Sequence, residues 1–284
     1  MYSGSTLKPF KYFDAWFGAH QKIDRMGRDR LAKLITPEQS ALFPNKRLLL
    51  QFEGYDGPDG VKRKTPAQDE PWHYYDPEDP KDTQIFPILE GHYSSLVEAL
   101  GEGNKTRAAF EAAWLAHGLV DGMTPAHHYP YEEELIRLRG GQGIETRTTP
   151  KEKILMPGDT VRAKMKNNWQ MWGDKGLLAT HIAFEMGVAV LIVPMRSTKF
   201  EIGKSDMDFV VREGMLALFK RSAKEIAGLK MYDKFYDSAW TPGLAKLVRK
   251  ELMPVIVRTV TLVWYAAVQE AQQKPNRGQK GVRG

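Results

Sequence analysis

The sequence predicts an all-α protein, and three observations support that prediction. Apolar residues recur at intervals of three and four along most of the chain, alternating strand-like runs are scarce, and no internal repeat is evident. The chain has 284 residues, of which 42% are hydrophobic and 27% are charged, which is ample for a large core. Length alone allows one domain or two.

Several stretches show the helical period. In chain order they are FDAWFGAHQKIDRMGRDRLAKLI, IFPILEGHYSSLVEALGEG, KTRAAFEAAWLAHGLVDGM, KGLLATHIAFEMGVAVLIV, DMDFVVREGMLALFKRSAKEIAGL and GLAKLVRKELMPVIVRTVTLVWYAAVQEAQ. Pro37 lies beyond the end of the first stretch, as expected for a helix terminator. Pro254 is expected to kink the last one, because a proline inside a helix cannot donate the backbone hydrogen bond.

Two segments break the helical period. Glu53–Pro80 is rich in Gly, Pro and Asp, whereas Gly140–Asp174 is polar and basic and contains Trp169 and Trp172. Loops of this length inside a compact domain are usually functional or disordered. Residues 273–284 are expected to form a basic, disordered tail.

Composition excludes several kinds of site and segment. The net charge of +6 is a mild bias toward phosphate-bearing partners. The lack of cysteine excludes a disulfide scaffold, thiolate metal sites and a cysteine nucleophile, so any metal must be held by imidazole and carboxylate groups. The N-terminal stretch lacks the apolar core of a secretory signal, and the longest apolar run, Gly187–Met195, is too short to span a bilayer. A soluble chain is expected, with its location left open.

A histidine followed by an acid four residues later occurs three times. On a helix, this spacing places both side chains on one face, where they can hold one ion or share one proton. A single such pair is most often a surface hydrogen bond, but three among seven histidines favour metal binding. The pairs are His20 with Asp24, His117 with Asp121, and His181 with Glu185. Apolar neighbours of the second and third pairs indicate burial, which is costly for imidazole and carboxylate unless something such as a metal satisfies them.

A further group of hard ligands lies in the loop-rich region. DEPWHYYDPEDP contains His73 with Asp76 close by, and EGYDGPDG just upstream supplies Glu53, Asp56 and Asp59. A lone loop histidine is more often a surface residue, but these acid-rich surroundings are suited to a cation.

The spacing His117-x3-Asp121-x3-Pro125-x-His127 resembles the signature of the zinc-dependent phospholipase C family, which shares its fold with the zinc-dependent single-strand nucleases. Other elements match in the same order. GAHQKID resembles the segment around the first-helix histidine of the family, and GYDGPD resembles its Gly-x3-Pro-Asp motif. HYYDPED resembles the family's His-aromatic-aromatic-Asp-Pro motif. HIAFE resembles its His-x3-Glu motif, in place of which the nucleases tend to carry His-x3-Asp. RTVTLVWYAA resembles the last helix of the family. The matches touch most of the chain from residue 16 to 272.

The resemblance implies a cluster of two to three zinc ions. One ion would be held by Asp59, His73, His117 and Asp121, a second by His127, His181 and Glu185, and a third by His20 and a bridging oxygen of Asp121. The resemblance also points to Asp59 rather than Glu53 or Asp56 as the loop ligand. His92 and His128 match nothing in the pattern, and hydrogen-bonded structural roles are expected for both.

The chain departs from the family pattern at the third metal. In the family, the mature N-terminus is a tryptophan whose amine and carbonyl complete that site, whereas Trp16 is internal here. Three alternatives remain open. Processing exposes Trp16, or Asp24 or Asp14 replaces the amine, or the site holds two metals.

A second departure is the length of the connection between His127 and His181, about fifty residues where the family has a short one. This insertion loop, assigned to residues 140–176, contains RAKMKNNWQMWGDKG. A lid or membrane-facing loop and a disordered or packing loop are both open interpretations.

The resemblance implies one compact phospholipase C or single-strand nuclease-like domain over residues 1–272. Its expected activity is that of a zinc-dependent phosphodiester hydrolase, in which a metal-bridged hydroxide attacks a phospholipid phosphodiester and Asp59 serves as general base. Contact with a membrane surface would accompany a phospholipid substrate. One alternative is a single-strand nuclease, for which the basic charge, Trp169 and Trp172 suit base stacking. Another is a metal-binding structural protein without catalysis.

Overall fold

The computed structural model describes residues 1–3, 17–70, 72–197 and 200–273, and these ranges contain helices and no strands. The all-α prediction is therefore confirmed. The α-helices are α1 (Ala19–Leu31), α2 (Pro37–Leu42), α3 (Lys46–Leu49), α4 (Pro58–Lys62), α5 (Phe86–Gly101), α6 (Lys105–Gly122), α7 (Tyr131–Leu138), α8 (Pro150–Ile154), α9 (Val161–Trp172), α10 (Leu177–Ile192), α11 (Lys204–Glu213), α12 (Met215–Ala227), α13 (Met231–Ser238), α14 (Pro242–Leu247) and α15 (Met253–Gln273).

The core is built around the last helix, α15. Leu262, Val263 and Trp264 are consecutive and fully buried, so this helix is covered on more than one face. Helices α1, α5, α6, α11 and α12 pack around it. The indole N–H of Trp264 donates a hydrogen bond to the Ala112 carbonyl at 3.1 Å, which ties α6 to the core.

Helices α5 and α6 form a closely packed pair, and two glycines of α6 lie against large neighbours. A Cβ atom on Gly122 would lie 2.6 Å from Cζ of Phe219, and one on Gly118 would lie 2.9 Å from Cδ2 of Leu89. Close packing on this side holds α6 in place, and α6 carries two of the predicted metal ligands.

Two predicted helices differ from their expected form. The stretch 206–229 is divided at Gly214, whose φ of +84° is in the left-handed region that favours glycine. In the last predicted helix, Val248–Leu252 is π-helical immediately before Pro254. Pro254 has no N–H to continue the α-helical ladder, and the wider π turn accommodates that break.

The insertion at 140–176 was expected to be a loop, but it contains helices α8 and α9. It forms a small separate core in which Met156 and Met171 pack with Tyr131, Leu135 and Leu138 of α7. The segment is therefore a folded part of the domain and leads directly into α10. Residues 274–284 of the expected tail lie outside the described residues.

Two stretches are long and apolar enough to cross a membrane by length and composition alone, although no single run in the sequence predicted this. Within Pro242–Gln273, 78% of the apolar 18-residue window is buried, as expected for a core helix of a folded protein. Within Val161–Ile192, 33% of the corresponding window is buried, and the turn between α9 and α10 interrupts the stretch at residues 173–176.

Candidate metal centre

The structure brings the predicted ligands together at one place. They come from distant parts of the chain and are linked by short contacts. The ligands are His20 on α1, Asp59 on α4, His73 in an extended segment, His117 and Asp121 on α6, His127 in the 3-10 turn Pro125–His127, and His181 and Glu185 on α10.

The first group of ligands forms around His117. Its Nε2 lies 3.2 Å from Oδ2 of Asp121 and 3.8 Å from Oδ1 of Asp59. The ligand atoms of these three residues all lie within 4.8 Å of one another. His117 and Asp121 share this face because they are one helical turn apart on α6. Together the three side chains could hold one metal ion.

His73 lies beside the first group but has a different contact. The N–H of Tyr75 donates to the His127 carbonyl at 3.2 Å, and Nδ1 of His127 donates to the His73 carbonyl at 3.0 Å. These bonds hold the extended segment against the 3-10 turn. Nε2 of His73 is 2.6 Å from Nζ of Lys62. For His73 to bind a metal, the Lys62 side chain must move away from it.

The second group consists of His127, His181 and Glu185, whose ligand atoms also lie within 4.8 Å of one another. Oε1 of Glu185 is 2.8 Å from Nε2 of His127 and 3.2 Å from Nε2 of His181. Because Nδ1 of His127 is engaged by a backbone carbonyl, its Nε2 is directed into the group. This group could hold a second ion.

The third position is completed by Met1. The amine of Met1 contacts Oδ1 of Asp121 and lies 3.0 Å from Oε1 of Glu185. Nε2 of His20 donates to the Met1 carbonyl at 2.7 Å and lies 3.1 Å from Oδ1 of Asp121. An α-amine and a carbonyl therefore lie beside His20 and Asp121.

Of the groups expected to replace the amine, Asp24 has Glu53, His117 and Arg25 as its electrostatic neighbours. It is buried, and burial together with the neighbouring Glu53 carboxylate raises the pKa of its carboxyl well above the usual value. Trp16 and Asp14 lie outside the described residues.

Glu53 occupies the outer side of His117. Its Oε2 lies 3.2 Å from Nδ1 of His117, on the far side of the ring from Asp59 and Asp121. The rings of His20 and His117 are stacked with centroids 3.9 Å apart. A carboxylate on the second nitrogen of a ligating histidine fixes its tautomer and orientation, so Glu53 supports His117 from behind.

Electrostatics keep the inner carboxylates ionised. Burial alone would raise the pKa of Asp121, but the Met1 amine and the imidazoles of His127 and His117 hold that pKa well below its usual value. At Glu185, burial would again raise the pKa, but the same amine together with His181 and His127 holds that pKa well below the usual value. In return, burial would lower the pKa of the Met1 amine, but Asp121 and Glu185 raise it to about 10. The cluster therefore contains buried, ionised carboxylates that are paired with cationic groups.

Such a donor set suits a divalent metal ion. Ionised carboxylates buried together are costly unless cations or hydrogen bonds compensate them. The ligands combine imidazole nitrogen with carboxylate oxygen, which favours a borderline cation over Mg²⁺ or Ca²⁺, because those two prefer oxygen alone. The described residues thus contain buried groups of histidine, aspartate and glutamate that could hold a metal ion.

The two histidines outside the predicted ligand set have hydrogen-bonded structural positions. Nδ1 of His92 lies 2.6 Å from Oε2 of Glu111, and Nε2 of His128 donates to the Gly122 carbonyl at 3.1 Å. The second bond satisfies a carbonyl at the C-terminal end of α6. These contacts agree with the expected structural roles.

A pocket opens beside the first group. Trp72, Trp114 and Ile88 provide apolar walls, while Asp59 and Lys62 are among its polar lining residues. Of the carboxylates in the first group, Asp59 is the more accessible, because its side chain is 28% exposed and that of Asp121 is 2% exposed. A ligand in this pocket would meet Asp59 first.

Sequence reasoning missed Met1, Ser3 and Lys62 as neighbours of the cluster. Lys62 follows Asp59 by three residues and faces the same pocket because α4 is helical, so its spacing was a usable signal. The hydroxyl of Ser3 donates to Oδ2 of Asp59 at 2.6 Å, but nothing in the local sequence of residues 1–3 indicates this contact.

Comparisons with models of known protein families, with curated proteins and with solved structures found no match to this chain.

Proposed function

We propose that this protein is a zinc-dependent phosphodiester hydrolase of the phospholipase C type. The observation that carries the proposal is the meeting of two ligand groups at Asp121, which contacts His117 of the first group and lies 3.9 Å from His127 of the second. Linked imidazole and carboxylate sites of this kind suit two-metal hydrolysis of phosphate esters. The motif resemblance adds the same expectation.

The proposed metal positions combine the contacts around Asp121 with the ligand sets that the motif resemblance implies. One zinc ion would be held by Asp59, His73, His117 and Asp121, a second by His127, His181 and Glu185, and a third by His20, Asp121 and the amine and carbonyl of Met1. Bound there, zinc supplies positive charge to phosphoryl oxygens and lowers the pKa of water.

Asp59 is the best candidate for general base. Burial opposes ionisation, but His117 and Lys62 help to hold the pKa of Asp59 below its usual value, so the carboxylate is ready to accept a proton. The Ser3 hydroxyl fixes one of its oxygens at 2.6 Å. The other oxygen, Oδ1, lies 3.8 Å from Nε2 of His117, and Asp59 is among the residues that line the pocket.

The pocket also offers groups that can orient a phosphodiester. The ammonium of Lys62 can approach a phosphoryl oxygen once it leaves His73, and Trp72 and Trp114 exclude water around the reacting bond.

A single-strand nuclease remains the second candidate, because the two pocket tryptophans could also stack on bases. The third candidate, a metal-binding protein without catalysis, rests on the lack of an N-terminal amine at the cluster. The Met1 amine occupies that position, so the feature that favours the third candidate is weakened.

Metal analysis combined with a substrate panel tests the proposal. The chain purified without chelator should contain two to three equivalents of zinc and should hydrolyse phosphatidylcholine faster than single-stranded DNA. Chelation should lower the melting temperature by about 5–10 °C, because losing a ligand present at 100 times its Kd costs about 2.7 kcal/mol. A metal-free preparation with unchanged melting would contradict the centre, and faster DNA cleavage would favour the nuclease.

A further inference from the structure

Helix α9 presents an apolar stripe to solvent. Val161, Met165, Trp169 and Trp172 are 79%, 69%, 67% and 42% exposed, respectively. Their spacing of four, four and three places them along one face of the helix. A surface helix normally turns such a stripe toward the core, so this one is oriented in the opposite sense.

The stripe continues onto the preceding segment. Ile154 and Leu155, at the end of α8, are 43% and 49% exposed. The indole N–H of Trp172 donates to the Ile154 carbonyl at 2.7 Å, which places these residues beside one end of the stripe. The two segments together form one apolar surface, which we call the insertion face.

The insertion face is held rigidly from behind. The side chain of Asn168 bonds to both the N–H and the carbonyl of Met156, at 3.1 and 2.9 Å, and that of Asn167 donates to the Pro157 carbonyl at 2.8 Å. Met171 is fully buried on the same inner side. The outward orientation of the apolar residues is thus fixed by satisfied polar contacts and does not reflect loose packing.

Basic residues accompany the insertion face. Arg162, Lys164 and Lys166 are exposed, and α9 contains no acidic residue. Among the described residues, none of the three takes part in a salt bridge. Exposed aliphatic side chains and tryptophan flanked by unpaired lysine and arginine are the pattern of a helix that lies in a membrane interface.

Charge and chemistry distinguish a lipid surface from other occupants. A second copy would bring two helices of the same positive charge together, which opposes self-association through this face. Nucleic acid would engage the basic residues and the tryptophans, but it would leave Val161, Met165 and Leu155 without apolar partners. An anionic phospholipid surface matches both the charge and the aliphatic residues.

We propose that the insertion face docks the protein on membranes that contain anionic phospholipid, with Trp169 and its apolar neighbours inserted at the boundary between headgroups and acyl chains. The position suits delivery of a lipid. Helix α9 leads directly into α10, which carries His181 and Glu185, and Tyr131 of the small core packs with its ring 5.4 Å from that of His181.

Co-sedimentation with vesicles tests this inference. The full chain should bind vesicles of phosphatidylcholine with phosphatidylglycerol more tightly than vesicles of phosphatidylcholine alone. The double variant Met165→Ser, Trp169→Ser should weaken binding at least tenfold, because both side chains face solvent. Lys164→Gln with Lys166→Gln should remove the preference for anionic vesicles and leave the weaker binding to neutral ones.

Matched controls separate docking from folding. Val211→Ser, an equally small change at another exposed valine on α11, should bind vesicles like the unmodified chain, whereas Val161→Ser should bind less tightly. Every variant should retain its melting temperature and metal content.

The docking inference and the proposed function can fail separately. Vesicle binding without hydrolysis of any phosphodiester would support the docking surface and contradict the activity. Hydrolysis of a soluble short-chain phospholipid without vesicle binding would overturn the docking surface alone. Two further results would overturn the docking inference. One is a dimer that the double variant Met165→Ser, Trp169→Ser abolishes, and the other is binding to single-stranded DNA in place of vesicles that the same variant abolishes.

Discussion

Helices α6 and α9 distribute polarity in opposite ways. In α6, His117 and Asp121 are buried among apolar residues such as Leu115 and Leu119, so the polar groups face inward. In α9, the aliphatic and aromatic residues face solvent, and Asn168 forms hydrogen bonds on the inner side. Each helix therefore contradicts the usual rule of apolar inside and polar outside.

The difference shows what a helix requires in order to bury polar groups or to expose apolar ones. Buried polar groups in α6 are acceptable only with partners, and there they meet imidazoles, the Met1 amine and, in our proposal, metal ions. Exposed apolar groups in α9 cost the folded chain little, but they leave a surface that gains free energy when it is covered. The first inversion indicates a site for ions and the second a site for an apolar partner.

The comparison is tested most severely at Asp121. Asp121→Asn keeps the size of the side chain but removes the negative charge that links the two groups, so at least one zinc equivalent should be lost. Hydrolysis should fall by more than about a hundredfold, which exceeds the effect typical of residues behind the ligands. His128→Ala should be mild, since His128 bonds only the end of α6. Equal losses of zinc and of hydrolysis in both variants would mean that α6 serves as a packed core helix and does not bind metal.

The amine of Met1 allows a second test. Adding residues before Met1 converts the amine into an amide, which is a poor metal ligand and cannot pair with Asp121. We expect the extended chain to lose one metal equivalent, measured by elemental analysis, and to retain the ions of the other two positions. An extension of the same length at the C-terminal end is the control. Unchanged metal content in the N-terminally extended chain would show that the amine of Met1 is not a metal ligand.

Substitution of Glu53 should affect zinc binding less than substitution of Asp121, because Glu53 contacts His117 on the outer side of its ring. Glu53→Gln should weaken zinc affinity about tenfold, at the lower end for outer partners of metal ligands. Chelator competition would measure this loss. Glu98→Gln, on the exposed side of α5, is the matched change and should leave affinity unaltered. A similar loss in both variants would assign the effect to net charge.

The smallest effects concern packing alone. Gly122→Ala should destabilise the fold by about 1–3 kcal/mol, because the new methyl group overlaps Phe219. Gly91→Ala, where the space is open on an exposed helical surface, should stabilise it by about 0.5–1 kcal/mol. Denaturant unfolding would measure both. The same sign at both positions would show that α6 is packed no more tightly than an exposed helix.

Much of the site could be predicted from the sequence because its key pairs are local. The spacing of four residues places His117 with Asp121 and His181 with Glu185 on common helix faces wherever those helices lie. The helical period of the apolar residues likewise predicts α6 and α10 as helices. Pro125, in the turn after α6, accounts for the change of direction that brings His127 back to the cluster.

Other parts could not be predicted because they depend on packing between distant segments. Asp59 faces Nε2 of His117 and Glu53 faces Nδ1, and spacing along a loop carries no information about which nitrogen each one faces. The contact of Lys62 with His73 and the helical structure of the insertion depend on neighbours far away in the chain.

The sequence by itself determined the helical class, the faces of the paired ligands and the kinds of atoms that could bind a metal. Only the tertiary structure decided that the Met1 amine reaches Asp121 and that the apolar stripe of α9 points away from the core. The physical reason is that helical geometry repeats every 3.6 residues and is set by neighbours in the chain. The approach of a chain end to a buried carboxylate, and the choice of which helix face is covered, are instead set by the packing of the whole domain.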